Sequence, residues 1–253
     1  MSAFVTREGM FDLSGRVAVV TGGGRGIGRA IAQGLATFGA RVALCGRTAA
    51  TLAQTEAEIL AAGGDAAVQV TDMAKEADVV ALRDPVLARF GGIDVLVNNA
   101  GVNPIWRTIE ETGLSNWHGV IDVNLTGLFL CCKYLGGAMA ERGAGSIIDV
   151  SSVGGHVGLI RSAPYCAAKG GAESLTKALA LDWAKSGVRV NCLAPMRGEA
   201  VGASSRPSSP PPSPRTAPRR PPPNGARSPI SSGPSCASSP TSWTRPRPTC
   251  SPT

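Results

Sequence analysis

Val17-Ala-Val-Val-Thr-Gly-Gly-Gly-Arg-Gly-Ile-Gly28 is the stretch that decides the fold. Val17 to Thr21 is a short, continuous apolar and β-branched run, the pattern of a strand buried on both faces. It passes directly into Gly-x-x-x-Gly-x-Gly, from Gly22 to Gly28, and then into an apolar helical stretch, Ile27 to Phe38. Glycines belong where the chain turns sharply and where a pyrophosphate must approach bare N–H groups at a helix N-terminus. Gly22, Gly24, Arg25, Gly26, Ile27 and Gly28 are therefore candidate nucleotide contacts. A ligand-free strand-to-helix turn is the competing reading.

Outward from this stretch the same grammar repeats. Short apolar runs at 41–45, 66–70, 95–97, 146–150 and 189–193 alternate with helical stretches at 51–62, 76–90, 114–142 and 165–185. Continuous strands separated by helices predict an α/β fold, a single doubly wound parallel sheet of about six strands.

About 20 residues beyond the glycines, where an acid would hold a ribose 2′-hydroxyl, the chain reads Cys45-Gly46-Arg47. Arg47, with Arg25 in the loop, can meet a 2′-phosphate, so NADP(H) is preferred over NAD(H), with two solvated surface charges as the competing reading. Asp72, after the third run, is placed for an adenine edge or for a helix N-cap. Asn98-Asn99-Ala100-Gly101 closes the fourth run, and Asn98 and Ala100 are candidates for the crevice at the carboxyl ends of the strands.

Tyr165 and Lys169 are four apart in a helical stretch, hence on one face, with Ser152 in a Ser-Ser pair upstream. A free phenol holds its proton to about pH 10. An ammonium about 4.5 Å away, at an effective dielectric of about 20, supplies roughly 4 kcal/mol toward releasing it. The trio reads as a proton-transfer device, with a surface tyrosine beside a surface lysine as the plainer reading of the pair taken alone. Trp106 and His156 are weaker candidates for a substrate pocket, with core packing and a satisfied loop histidine as their plainer readings.

Composition divides the chain. Of 19 prolines, 15 follow Val201, together with 7 arginines, and no acid follows Glu199. The body thus balances 25 − 7 = 18 basic against 18 acidic residues, and the net +7 belongs to the tail. The charge is no sign of specific nucleic-acid binding by the folded part. The tail, 196–253, is predicted disordered, because it has too little apolar surface to offset ordering. Seven cysteines without Cys-x-x-Cys spacing, and only two histidines, predict reduced thiols and no metal site. No apolar run near 20 residues is read, so the expectation is a cytoplasmic protein with no membrane partner.

Thr-Gly-x-x-x-Gly-x-Gly at 21–28, Asn-Asn-Ala-Gly at 98–101, Asn124 in Asp-Val-Asn-Leu-Thr-Gly, Ser152 and Tyr-x-x-x-Lys at 165–169 occur in order, and together they resemble the short-chain dehydrogenase/reductase family over about residues 11–195. The resemblance implies a Rossmann-like NADP(H)-binding dehydrogenase domain over that span. It implies interconversion of a secondary alcohol and a ketone, with Asn124, Ser152, Tyr165 and Lys169 as the catalytic tetrad. Tyr165 would exchange the proton, Ser152 bond the same oxygen, Lys169 hold the phenolate and nicotinamide ribose, and Asn124 hold a relay water. It also implies a small-molecule alcohol or carbonyl substrate and a homodimer contact through helices 114–142 and 165–185.

After Pro195 the family pattern of a substrate loop, a further helix and a seventh strand is absent. The change in composition is what an out-of-frame reading of a GC-rich gene near codon 196 would give. Without a seventh strand, the run 189–193 becomes a sheet edge, tetramer formation is doubtful, and substrate specificity cannot be read. The competing functional reading is a catalytically impaired nucleotide-binding remnant that displays a basic interaction tail.

Overall fold

Successive residues of β1 (Val17–Thr21) face opposite sides of a sheet, and both sides are covered. Val17 and Val19 enter one core with Leu82, Leu96, Leu128, Leu135 and Ile147, while Ala18 and Val20 enter another with Leu44, Leu52 and Ile59. Burying each large aliphatic side chain contributes about 1.5–3 kcal/mol. A strand flanked by two apolar layers therefore holds the centre of the sheet. The computed structural model describes residues 11–104 and 106–196, so the disorder expected beyond Met196 lies outside the described residues.

Strands β2 (Arg41–Gly46), β3 (Asp65–Val70), β4 (Val95–Asn98), β5 (Gly145–Val150) and β6 (Val188–Leu193) join β1 in one parallel sheet of order β3-β2-β1-β4-β5-β6. Every run read from the sequence lies within one residue of its strand. The order reverses between β1 and β4, so the crevice at their carboxyl ends is a topological switch point.

Helices α1 (Gly26–Thr37), α2 (Ala49–Ala61) and α3 (Glu76–Phe90) follow the first three strands as expected. Helix α4 (Leu114–Arg142) runs unbroken but is not uniformly α-helical, since two π-helical turns, Asp122–Thr126 and Cys132–Gly136, interrupt it. Against expectation, its 29 residues are long and apolar enough to cross a membrane. Half of its apolar window is buried within the fold, with Leu128, Leu130, Leu135 and Met139 in the first core, so packing accounts for its composition. Helix α5 (Ala163–Asp182) starts with Pro164 in its first turn, a place where the missing N–H costs nothing. It ends before the expected Lys185, where a short 3₁₀ turn (Ala184–Ser186) and Gly187 at φ +67° lead into β6.

Candidate active site

The glycine loop is bound to the Asn-Asn-Ala-Gly loop through Thr21. Its hydroxyl accepts from the Asn99 and Ala100 N–H groups at 3.0 Å each and donates to Val97 O at 3.2 Å. The Asn99 amide donates back to Thr21 O at 3.0 Å. Gly22 has φ +67°, and a Cβ there would sit 2.9 Å from the Asn99 amide. Gly28 packs α1 so closely on Gly22 O and Asn99 that no side chain fits. Gly24 is equally confined by Thr51. Gly26, by contrast, has φ +53° and open space where a Cβ would stand.

This loop fits a phosphate. Helix α1 begins after Arg25 with no side-chain cap and no acid in its first turn, leaving its free N–H groups and dipole directed at the crevice. Arg25 and Ile27 are exposed there, as is Arg47 just past β2, and neither arginine forms an ion pair among the described residues. Asp72 is not a helix N-cap, a place taken by Lys75. Its carboxylate accepts from Ala74 N at 3.2 Å in a tight turn and stays half-buried.

Asn98 differs from the crevice role expected of its side chain. Its amide turns inward, donating to Asp149 Oδ1 at 2.9 Å and to Cys132 Sγ at 3.3 Å. Thr176 donates to the other Asp149 oxygen at 2.7 Å. Burial pushes the Asp149 carboxyl above its ordinary range, opposed by the hydrogen bonds from Asn98 and Thr176 and by the charge of Lys169. The Asn99–Ala100 turn, not the Asn98 side chain, lies against the glycine loop.

Asn124 sits in the first π-helical turn and is buried. Its amide donates to Val120 O and Val102 O at 2.8 Å each, and its oxygen accepts from Val102 N at 3.2 Å. The helical irregularity and the clamp on the loop after β4 thus occur together. Gly101 lies between Asn124 and Lys169, where a Cβ would stand 2.8 Å from Asn124 Oδ1 and 3.6 Å from Lys169 Nζ. The Lys169 ammonium is 5.8 Å from the Tyr165 ring centroid and donates to Val150 O at 2.7 Å. Burial pulls Lys169 down to about 8, against the charges of Cys192 and Asp149, which favour its protonated form.

Ser152 Oγ accepts from Gly154 N at 3.2 Å, closing a short 3₁₀ turn (Val153–Gly155), and its hydroxyl proton is uncommitted among the described residues. Gly154 lies against the half-buried Tyr165 ring, at 3.4 Å from where its Cβ would be to Cε1. Of the weaker candidates, Trp106 is half exposed rather than core, and His156 is a paired loop histidine, 3.1 Å from Glu173. Sequence reading missed the role of Glu173, although it stands one helical turn after Lys169 and so on the same face.

A doubly wound sheet with a glycine loop at its switch point, and a Tyr-Lys pair beside the same crevice, defines a nucleotide-dependent oxidoreductase. The sequence pattern of the short chain dehydrogenase family matches residues 16–202, and this chain belongs to that family. D-threitol dehydrogenase of Mycolicibacterium smegmatis is 43% identical over 190 residues, 73% of this chain and 71% of that one. A metagenomic short-chain oxidoreductase solved in complex with NADP superposes with a TM-score of 0.70 at 40% identity, covering 72% of this chain and 83% of that one. An NAD+-bound xylitol dehydrogenase gives 0.71 at 33% identity, covering 72% and 70%.

Proposed function

We propose that this chain interconverts a secondary alcohol and a ketone, with Tyr165 as proton donor and acceptor and NADP(H) preferred over NAD(H). The observation that carries the reading is the convergence of Asn124, Lys169 and Tyr165 around Gly101 and Gly154. When bound, the nicotinamide supplies or accepts the hydride.

The protein's own share is positioning and proton handling. Tyr165 gives its proton to the substrate oxygen or takes it, and the uncommitted Ser152 hydroxyl steadies that oxygen. Lys169 stabilises the phenolate electrostatically. Asn124, already bonded to Val102 and Val120, holds the Gly101 backbone beside the ammonium. Gly22, Gly24, Gly26, Ile27, Gly28, Asp72, Asn98 and Ala100 frame the nucleotide through loop and backbone, and Arg25 and Arg47 meet a 2′-phosphate. Solved relatives bind NADP in one case and NAD+ in another, so the preference rests on these two arginines.

Relatives are named for D-threitol, a cyclohexadienediol, L-fucose and a 3-oxoacyl carrier-protein substrate, so the proposed substrate class is a small secondary alcohol or its ketone. A homodimer through α4 and α5 fits the exposed Phe129 and Leu181 on those helices. The unpaired thiols among the described residues fit a cytoplasmic setting. The test is a screen of polyols, sugars and their ketones with NADP+ or NADPH, followed by nicotinamide absorbance, with Tyr165→Phe as control. Turnover that needs the phenol supports the reading, and turnover persisting in Tyr165→Phe overturns it.

A further inference from the structure

Glu173 is a buried carboxylate on α5 that the proposed chemistry does not use. Its two oxygens serve both ends of one loop. Oε1 accepts from Ser151 Oγ at 2.7 Å, and Oε2 lies 3.1 Å from His156 Nδ1. A Cβ at Gly155 would collide with Glu173 Oε1 and stand 2.8 Å from Ser151 Oγ, so a side chain there would have to displace the carboxylate. Ser152 and Gly154, the latter in contact with the Tyr165 ring, lie between these two anchors.

Backbone bonds tie the start of the loop to β6 and the segment after it, where Ser151 N donates to Leu193 O at 2.8 Å and Val153 N to Pro195 O at 3.2 Å. Its end is closed on the loop itself, His156 N and Val157 N both donating to Val153 O at 3.0 Å. Just beyond, Leu159 N donates to Cys166 Sγ on α5 at 3.3 Å. The Ser151 hydroxyl also reaches Lys169 O at 3.3 Å. The loop that carries Ser152 is thereby joined to the helix that carries Tyr165 and Lys169. The joining group is a charged acceptor, whose hydrogen bonds are stronger than those of a neutral one.

We propose that Glu173 is the positioning residue of this site, a latch on Ser151 and His156 that sets Ser152 against Tyr165. This rests on the dehydrogenase reading above. A side chain bonded to one end of the loop would stabilise the fold equally well. Holding both ends of the serine loop from the tyrosine helix fixes the relative placement of the two groups that must meet one substrate oxygen. Displacing such a group by about 1 Å costs on the order of 100-fold in rate.

The experiment compares Glu173→Ala, Glu173→Gln and His156→Ala with wild type. In Glu173→Ala, kcat falls by about 100-fold, while NADPH affinity, measured by fluorescence titration, stays at the wild-type value. Glu173→Gln, which still presents an oxygen to Ser151, recovers most of the loss. His156→Ala, at a largely exposed side chain, leaves the fold intact and produces a smaller fall in the same direction. Hydrogen exchange of the 151–157 amides needs no substrate, and it rises in Glu173→Ala and is restored in Glu173→Gln.

Unchanged loop exchange in both Glu173→Ala and His156→Ala overturns the latch, whether or not a substrate is found. Unchanged kcat in His156→Ala, or in a folded Glu173→Ala, overturns it as well. Wild-type protein without turnover on any substrate, but with the exchange pattern described, would count against the dehydrogenase reading and not against the latch.

Discussion

Lys169 Nζ stands 5.8 Å from the centre of the Tyr165 ring while its hydrogen bond goes to Val150 O on β5. The two side chains share one face of α5, and the strand, not the phenol, holds the ammonium in place. Burial makes the charge costly, since it pulls Lys169 down to about 8.

Lys169→Met follows from that cost. An unfolded lysine keeps its proton to about pH 10.4, whereas the folded one releases it near 8. Below about pH 8 both states are charged and the whole burial cost is present. Between about 8 and 10.4 the unfolded chain binds more protons, so stability rises with pH. The variant is therefore expected to lose turnover yet be at least as stable as wild type at pH 7, with its advantage shrinking toward pH 10. Urea unfolding at both pH values measures this, and a difference that does not change with pH would contradict it.

Asn98→Ala tests the inward role of that amide. The Asp149 oxygen and Cys132 lose their donor in a buried site. An unsatisfied buried group costs about 1–3 kcal/mol, more for a charged one. The expected result is a clear fall in melting temperature with NADPH affinity of the folded fraction retained. A selective loss of nucleotide affinity at unchanged stability would return Asn98 to the crevice.

Gly28→Ala places a methyl against Gly22 O and the Asn99 amide. Overpacking of this kind costs about 1–3 kcal/mol, and here relief requires α1 to move away from the glycine loop. NADPH affinity should fall by more than in Gly34→Ala, farther along α1, where the Cβ position is open and the backbone is not left-handed. Calorimetric titration of Gly28→Ala and Gly34→Ala decides the order.

Arg47→Asp addresses cofactor choice. If Arg47 meets a 2′-phosphate, the substitution weakens NADP+ binding by about 10-fold or more, a loss of roughly 1.4 kcal/mol, and leaves NAD+ binding equal or improved. Equal losses for both nucleotides would remove Arg47 from the phosphate site.

The fold was largely legible because each level of the sequence agreed with the next. β1 reads as a strand from composition alone, and the glycines after it admit only a tight entry into α1. Tyr165 and Lys169 could be paired by helical spacing, whereas Asn124 and Ser152 joined them only through the resemblance of the ordered motifs. Other residues were opaque for identifiable reasons. Asn98 and Asn99 are chemically identical neighbours, and only the end of β4 between them sends the first inward to Asp149 and the second, in the turn, back to Thr21 and Gly22. The π-helical turn at Asn124 has no sequence period of its own, arising where the Asn124 amide bonds both Val120 O and the loop after β4.

By itself the sequence determined the parallel sheet, the glycine cradle and the pairing of Tyr165 with Lys169, because these depend on local periodicity and on residues nearby in the chain. The direction of Asn98, the burial that lowers Lys169 and the grip of Glu173 on Ser151 and His156 were decided only by tertiary structure. Each depends on the distance between segments far apart in the chain and on the exclusion of water between them, and neither quantity is encoded in spacing.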